Sequence, residues 1–113
     1  MKLLVFILKK VELQDEIFLR LAKAGFKGGT VLDGKGMANT LAHLGEDVPM
    51  FGGLRHIISE FTNYESKVMM LVLKENQLQT AKNIIKEVTG DLKAPNTGIM
   101  FVIDIEEVEG YKD

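Results

Sequence analysis

Apolar residues form four short runs that are separated by polar or glycine-rich stretches. Each run is too short for a typical helix and is rich in branched or aromatic side chains, a pattern that is typical of buried strands. The runs predict strands over 2–9, 30–32, 67–74 and 98–105.

Two further segments carry apolar residues at the spacing of one helical face. They predict helices over 12–24 and 76–89. Gly25 follows the first segment and Gly90 follows the second, and a glycine at this place suits the left-handed conformation in which many helices end.

The periodic pattern stops between residues 34 and 53. A loop of this length in a small domain is usually functional or mobile. Around it we expect a short helix over 38–44, a returning strand over 54–61 and a turn over 62–66.

The order of elements predicts an α+β fold, the ferredoxin-like β-α-β-β-α-β sandwich, with both helices on one face of a four-stranded antiparallel sheet. The runs 3–8 and 99–103 are almost wholly apolar, so both faces of these strands must be covered. In a two-layer domain the second face needs a partner surface, and the pattern therefore predicts an oligomer.

Composition limits the function classes. A chain of 113 residues with 46% apolar residues is expected to be one soluble domain, and a net charge of −2 gives no reason to expect nucleic-acid binding. Cysteine is absent, which excludes thiolate chemistry. The apolar run 3–8 is shorter than a signal or membrane segment of about 7–15 or about 20 residues, so we expect a cytoplasmic protein.

Candidate catalytic and metal-binding groups are sparse. His43 and His56 could be joined by Glu46 or Asp47 at a metal, but the spacing is not diagnostic and exposed loop histidines are favoured. The acidic run 104–109 is interpreted as a strand end that passes into a solvated turn. These patterns predict neither an enzyme nor a metal protein.

The segment around Lys35-Gly36 lacks the spacing of a Walker phosphate-binding loop. Together with other short motifs, however, it resembles the PII family of nitrogen-regulatory signalling proteins. The motifs occur in family order: Lys9-Lys10, Leu21-Ala22-Lys23-Ala24-Gly25, Gly28-Gly29-Thr30-Val31, Lys35-Gly36, Lys67-Val68, Thr89-Gly90 and the final run 98–108.

The resemblance implies a homotrimer of ferredoxin-like subunits whose sheets face the threefold axis. It also implies adenine-nucleotide binding between subunits, 2-oxoglutarate near the base of a T-loop, and docking of that loop on a target enzyme, transporter or regulator. The T-loop would span about residues 37–58, with Met50, Phe51 and Leu54 as its apolar contacts. The implied ligand-binding positions are Lys35, Gly36, Met37, Ala38, Lys67, Gly90, Gly98 and Lys112.

Several family residues with binding roles are replaced. Where the family reads x-G-R-Q, this chain has Met37-Ala38-Asn39-Thr40. Ile99 stands at the position of a family lysine, Leu71 at that of its glutamate partner, and Gly110 and Lys112 at those of two arginines. We therefore expect no required cofactor, and binding of ATP, ADP or AMP that is weak or altered.

Three hypotheses remain open. The first is a PII-like regulator that senses a small molecule and controls a partner through residues 37–58. The second is an interaction module on the same scaffold without a ligand, which the lost arginines favour. The third, an enzyme or metal-handling protein, would need convergent histidine and carboxylate groups that the chain hardly supplies.

Overall fold

The computed structural model describes residues 1–37 and 65–112. The helices and strands in chain order are β1 (Lys2–Leu8), α1 (Gln14–Lys23), β2 (Gly29–Lys35), β3 (Glu65–Leu73), α2 (Glu75–Thr89) and β4 (Gly98–Asp104), with a short 3-10 turn at Val11–Leu13 before α1.

The described strands form one antiparallel sheet in the order β2-β3-β1-β4. β1 lies inside the sheet, where Leu4 pairs with Leu71 on one side and with Val102 on the other. Two helices and this sheet confirm the predicted ferredoxin-like α+β fold.

Several predicted boundaries in the middle of the chain are wrong. β2 runs over Gly29–Lys35 rather than 30–32, so the loop does not begin at Gly34. β3 begins at Glu65, so residues 65 and 66, which were predicted to belong to a turn over 62–66, are part of the strand. Cross-strand pairing extends both strands, because Lys35 pairs with Glu65 and Gly34 with Ser66. The predicted helix over 38–44 and strand over 54–61 lie outside the described residues.

One face of the sheet packs against both helices. Alternate residues of β1 and β3 point to this side, and α1 and α2 contribute one buried stripe each. The core comprises Leu4, Phe6, Leu8, Ile17, Leu21, Met69, Leu71, Leu73, Ala81 and Ile85.

The opposite face of the sheet, which we call the open face, is also apolar. Its residues are Leu3, Val5, Ile7, Leu32, Val68, Met70, Val72, Ile99, Phe101 and Ile103. On β4 the exposed fractions are 58% for Ile99, 41% for Phe101 and 48% for Ile103. Within residues 1–37 and 65–112, no second layer of the chain therefore covers this face of the sheet.

Ion pairs near the surface join neighbouring strands and helices. Lys2 on β1 donates a hydrogen bond to Asp104 on β4 and lies 3.9 Å from Glu75 at the start of α2. Arg20 on α1 lies 2.8 Å from Glu16 and 3.7 Å from Glu87 on α2. The hydrogen bond from Lys2 lowers the pKa of Asp104 below 3.8 and raises the pKa of Lys2 above 10.5.

We expect Asp104→Asn to remove part of the acid sensitivity of the fold. A carboxylate with a lowered folded-state pKa contributes stability above its unfolded pKa, and that contribution is lost as the pH falls through the folded-state value. The difference in unfolding free energy between wild type and variant should therefore shrink below pH 3.8. Denaturant titrations at about pH 6 and about pH 3, with Glu106→Gln as a neighbouring control, measure this difference. An unchanged difference at both pH values would contradict the expectation.

Candidate functional site

The predicted ligand-binding residues lie at two opposite ends of the sheet. β2 and α2 end where β3 and β4 begin, and this end carries Lys35, Gly36, Lys67, Gly90 and Gly98. We call it the Gly36 end. β2 begins at the other end, the Gly28 end, which carries Lys112 in the chain after β4.

Gly36 leaves the end of β2 open. Among residues 1–37 and 65–112, no heavy atom beyond its chain neighbours lies within 4 Å of the position that a Cβ would occupy, so this part of the fold does not require glycine here. Lys35 before it is exposed, and Met37 after it is 78% exposed. The absence of a side chain at Gly36 thus leaves room for a ligand or another subunit to approach the backbone.

Lys67 is bound to a neighbouring carboxylate. Its ammonium group donates a hydrogen bond to Asp33, which lies directly opposite on β2. This hydrogen bond raises the pKa of Lys67 above 10.5, so the side chain is a stable cation at neutral pH. Lys67 is at the predicted end, but it already has an anionic partner.

Gly90 and Gly98 have structural reasons to be glycine. Gly90 ends α2 in the left-handed conformation with φ of 71°. A Cβ on Gly98 would collide with the carbonyl oxygen of Ile7 on β1, because the two strands approach closely there. Neither glycine therefore needs a ligand to explain it.

The connection after Gly90 has an unusual backbone. Asp91 and Leu92 continue the left-handed conformation with φ of 63° and 60°. Such conformations are strained for residues other than glycine and are often found near functional sites. Asp91 lies 3.9 Å from both Lys86 and Lys93, so the lysine of this connection also has a carboxylate neighbour.

The Gly28 end contains a cleft of about 870 Å³. The turn between α1 and β2 forms one wall and the chain after β4 forms another, and the lining includes Phe26, Lys27, Gln77, Tyr111 and Lys112. Among these, sequence reasoning identified only Lys112. The glycines around Phe26 were a usable signal, but the chain after β4 could be placed against them only by the fold.

The two ends are too far apart to form one site in a single chain. β2 spans seven residues from Gly29 to Lys35, and at about 3.3 Å per residue its ends are about 20 Å apart. Lys112 therefore cannot join Gly36 and Lys67 at one site within a single chain, and the predicted cleft between subunits stays a prediction.

Leu71 and Ile99 also fail to meet. Leu71 is buried beneath the helices, whereas Ile99 lies on the open face beside Ile7. Leu71 and Ile99, which stand at the positions of the family's glutamate and lysine, cannot contact each other within one chain, because they lie on opposite sides of the sheet.

Other predicted positions cannot be placed. Ala38, Met50, Phe51 and Leu54 lie outside the described residues, as do His43 and His56.

Within residues 1–37 and 65–112, no three or more histidine, aspartate or glutamate side chains are grouped so that they could hold a metal ion. In the same ranges no helix has the length and apolar content needed to cross a membrane.

Together, the ferredoxin-like fold and the open apolar face define a small α+β domain with candidate binding residues at both ends of its sheet. The family model for the nitrogen regulatory protein P-II matches residues 1–113, and the chain belongs to this family. Proteins of the family are regulators rather than enzymes, and they form oligomers that interact with partner proteins. A comparison with curated proteins found no significant match.

Proposed function

We propose that this protein is a cytoplasmic homotrimer that senses a small effector and regulates a partner enzyme or transporter in nitrogen metabolism. The effector is an adenine nucleotide that binds in clefts between subunits. The partner docks on residues 37–58, where Met50, Phe51 and Leu54 supply apolar contacts.

The open face supports self-association. It presents contiguous apolar side chains from all four strands, and monomeric proteins rarely expose patches of this kind. Burial of apolar surface stabilises an assembly by about 25 cal/mol per Å². A second and third copy of the same face would supply the missing layer.

The observation that carries the proposal is the separation of the binding residues between the two ends of β2. In a closed ring each subunit can place its Gly36 end against the Gly28 end of a neighbour. Residues about 20 Å apart in one chain would then line the same cleft. Each copy would contribute both halves of the site, one on each side.

The cleft chemistry suits a nucleotide with a modest phosphate charge. Phe26 and Tyr111 provide aromatic surface for a base, and Lys27 and Lys112 provide cations. Arg20 is the one arginine of the described residues, and it pairs with Glu16 and Glu87 on the helical layer. Within the described residues, phosphates would therefore bind ammonium and backbone N–H groups, without the bidentate geometry of arginine.

Calorimetric titration of the purified oligomer with AMP, ADP and ATP tests this function. We expect binding of at least one nucleotide, with up to one site per subunit. A folded oligomer that binds none of the three would reject the effector. The ligand-free interaction module, which the missing arginines favour, would then replace it.

Truncation of one lysine at the cleft should weaken nucleotide binding selectively. We expect Lys112→Ala to lower nucleotide affinity about three- to tenfold, because one charge-assisted hydrogen bond is lost. Lys82→Ala on α2 removes the same charge away from the cleft and serves as the control. Equal affinities of the two variants would place the phosphates elsewhere.

A further inference from the structure

Four charged residues alternate across β2 and β3 at the Gly36 end. Asp33 pairs with Lys67, and two residues further along Lys35 pairs with Glu65. Residues two apart in a strand point to the same side, so all four side chains share the helical side of the sheet. Two positive and two negative charges give this group no net charge.

Asp33 is the exposed member of its pair. Its side chain is 87% exposed, whereas that of Lys67 is 29% exposed. The ammonium group of Lys67 donates a hydrogen bond to the carboxylate of Asp33 on the neighbouring strand. The pKa of Lys67 is raised by this hydrogen bond and by the nearby charges of Asp33 and Glu65.

This arrangement affects any phosphate that enters the Gly36 end. The phosphate must either displace Asp33 from Lys67 or bind beside a retained negative charge. Repulsion from a fixed carboxylate grows with the charge of the ligand. The unfavourable contribution is thus larger for a triphosphate than for a monophosphate.

We propose that Asp33 is a specificity-determining residue that biases the effector site toward nucleotides of low phosphate charge. Asp33 does so by accepting the hydrogen bond of the Lys67 ammonium group and by repelling longer phosphate chains. The inference rests on the proposed function, because it assumes that phosphates bind at the Gly36 end.

Asp33→Asn tests the inference with little risk to the fold, since the side chain of Asp33 is exposed and asparagine has nearly the same shape as aspartate. The probes are AMP, ADP and ATP, titrated into each oligomer at low and physiological salt. We expect ATP affinity to rise about two- to fivefold, since an exposed ion pair is worth about 1 kcal/mol or less and a tenfold change in affinity is about 1.4 kcal/mol. AMP affinity should change by less than about twofold, and the gain for ATP should shrink at higher salt.

Two further variants separate the role of Lys67 from a general change in charge. In Asp33→Asn/Lys67→Met the gain for ATP should be lost, because the released ammonium group is absent. Glu16→Gln changes the net charge equally and breaks an exposed ion pair with Arg20 on the helical layer. It should leave the preference between ATP and AMP unchanged.

The outcomes distinguish the two proposals. If wild type binds nucleotides and Asp33→Asn leaves the ATP-to-AMP preference unchanged, the role of Asp33 is rejected while the proposed function stands. An equal change in Glu16→Gln, or persistence of the gain in the double variant, also rejects it. If no nucleotide binds to either wild type or Asp33→Asn, both proposals fail. ATP binding by Asp33→Asn alone would support the role of Asp33 but would reject a nucleotide as the effector of the wild type.

Discussion

Phe101→Glu is expected to yield a folded monomer at micromolar concentration, whereas the wild type is expected to sediment as a trimer. Phe101 lies on the open face opposite Val5 and between Ile99 and Ile103. Its side chain is 41% exposed in the single chain, so the substitution does not disturb the core beneath the helices. In the assembly, however, each copy would bury a carboxylate among apolar side chains.

An unpaired buried charge costs about 3–5 kcal/mol. At about 1.4 kcal/mol for each tenfold change in an equilibrium constant, this is a loss of more than about 100-fold for each affected interface. Sedimentation velocity and far-ultraviolet circular dichroism together report oligomeric state and folding. Leu19→Glu is the matched control, because Leu19 is 56% exposed but lies on α1. A trimer that persists in Phe101→Glu, or a wild type that is monomeric, would show that the open face does not form the interface.

Gly36→Val is expected to abolish effector binding without changing stability. Apart from its chain neighbours, no heavy atom of the described residues lies within 4 Å of the new Cβ, so this part of the fold can accept the side chain. A ligand or neighbouring subunit that approaches the backbone at Gly36 would meet the two added methyl groups. We expect at least a 100-fold loss of nucleotide affinity, which is about 2.7 kcal/mol.

Thermal denaturation, sedimentation and calorimetric titration should be measured on the same preparation of Gly36→Val. Ala22→Val is a suitable control, since Ala22 is an exposed residue of α1 that does not line the cleft. Gly36→Ala, with a single added methyl group, should cause a smaller loss. Unchanged affinity in Gly36→Val would place the effector away from this glycine, and trimer dissociation would show that the residue serves assembly instead.

The sequence predicted best those elements whose signal is local. α1 and α2 begin and end within two residues of the predicted bounds, because apolar spacing and the following glycines are read from adjacent turns. β1 and β4 were found from their compact apolar runs. β2 was predicted too short, since Gly34 and the charges of Asp33 and Lys35 carry little strand signal of their own.

The reasons for glycine at two positions of β2 likewise depend on strand pairing rather than on local sequence. The sequence alone gave no reason for glycine at positions 29 and 34. In the fold, a Cβ on Gly34 would lie 2.5 Å from Oγ of Ser66, and one on Gly29 would lie 3.1 Å from Cδ2 of Leu71. Both reasons come from β3, more than thirty residues later in the chain.

The candidate site was predicted only in part. Sequence resemblance selected Lys35, Gly36, Lys67, Gly90 and Gly98, and the fold places all of them at one end of the sheet. It did not reveal that Asp33 holds Lys67, nor that Phe26 and Tyr111 line a cleft with Lys112. These contacts depend on strand pairing and on the path of the chain after β4.

By itself the sequence determined the helices, three of the four strands within a residue or two, and the two-sided apolar character of β1 and β4. Those features are encoded by spacings of two to four residues, and they would appear in any correct fold of the chain. The tertiary structure decided which apolar side faces the helices, which side stays open, and which charges meet. The physical reason is that register between strands distant in sequence is set by many weak contacts acting together, and no single local pattern records the result.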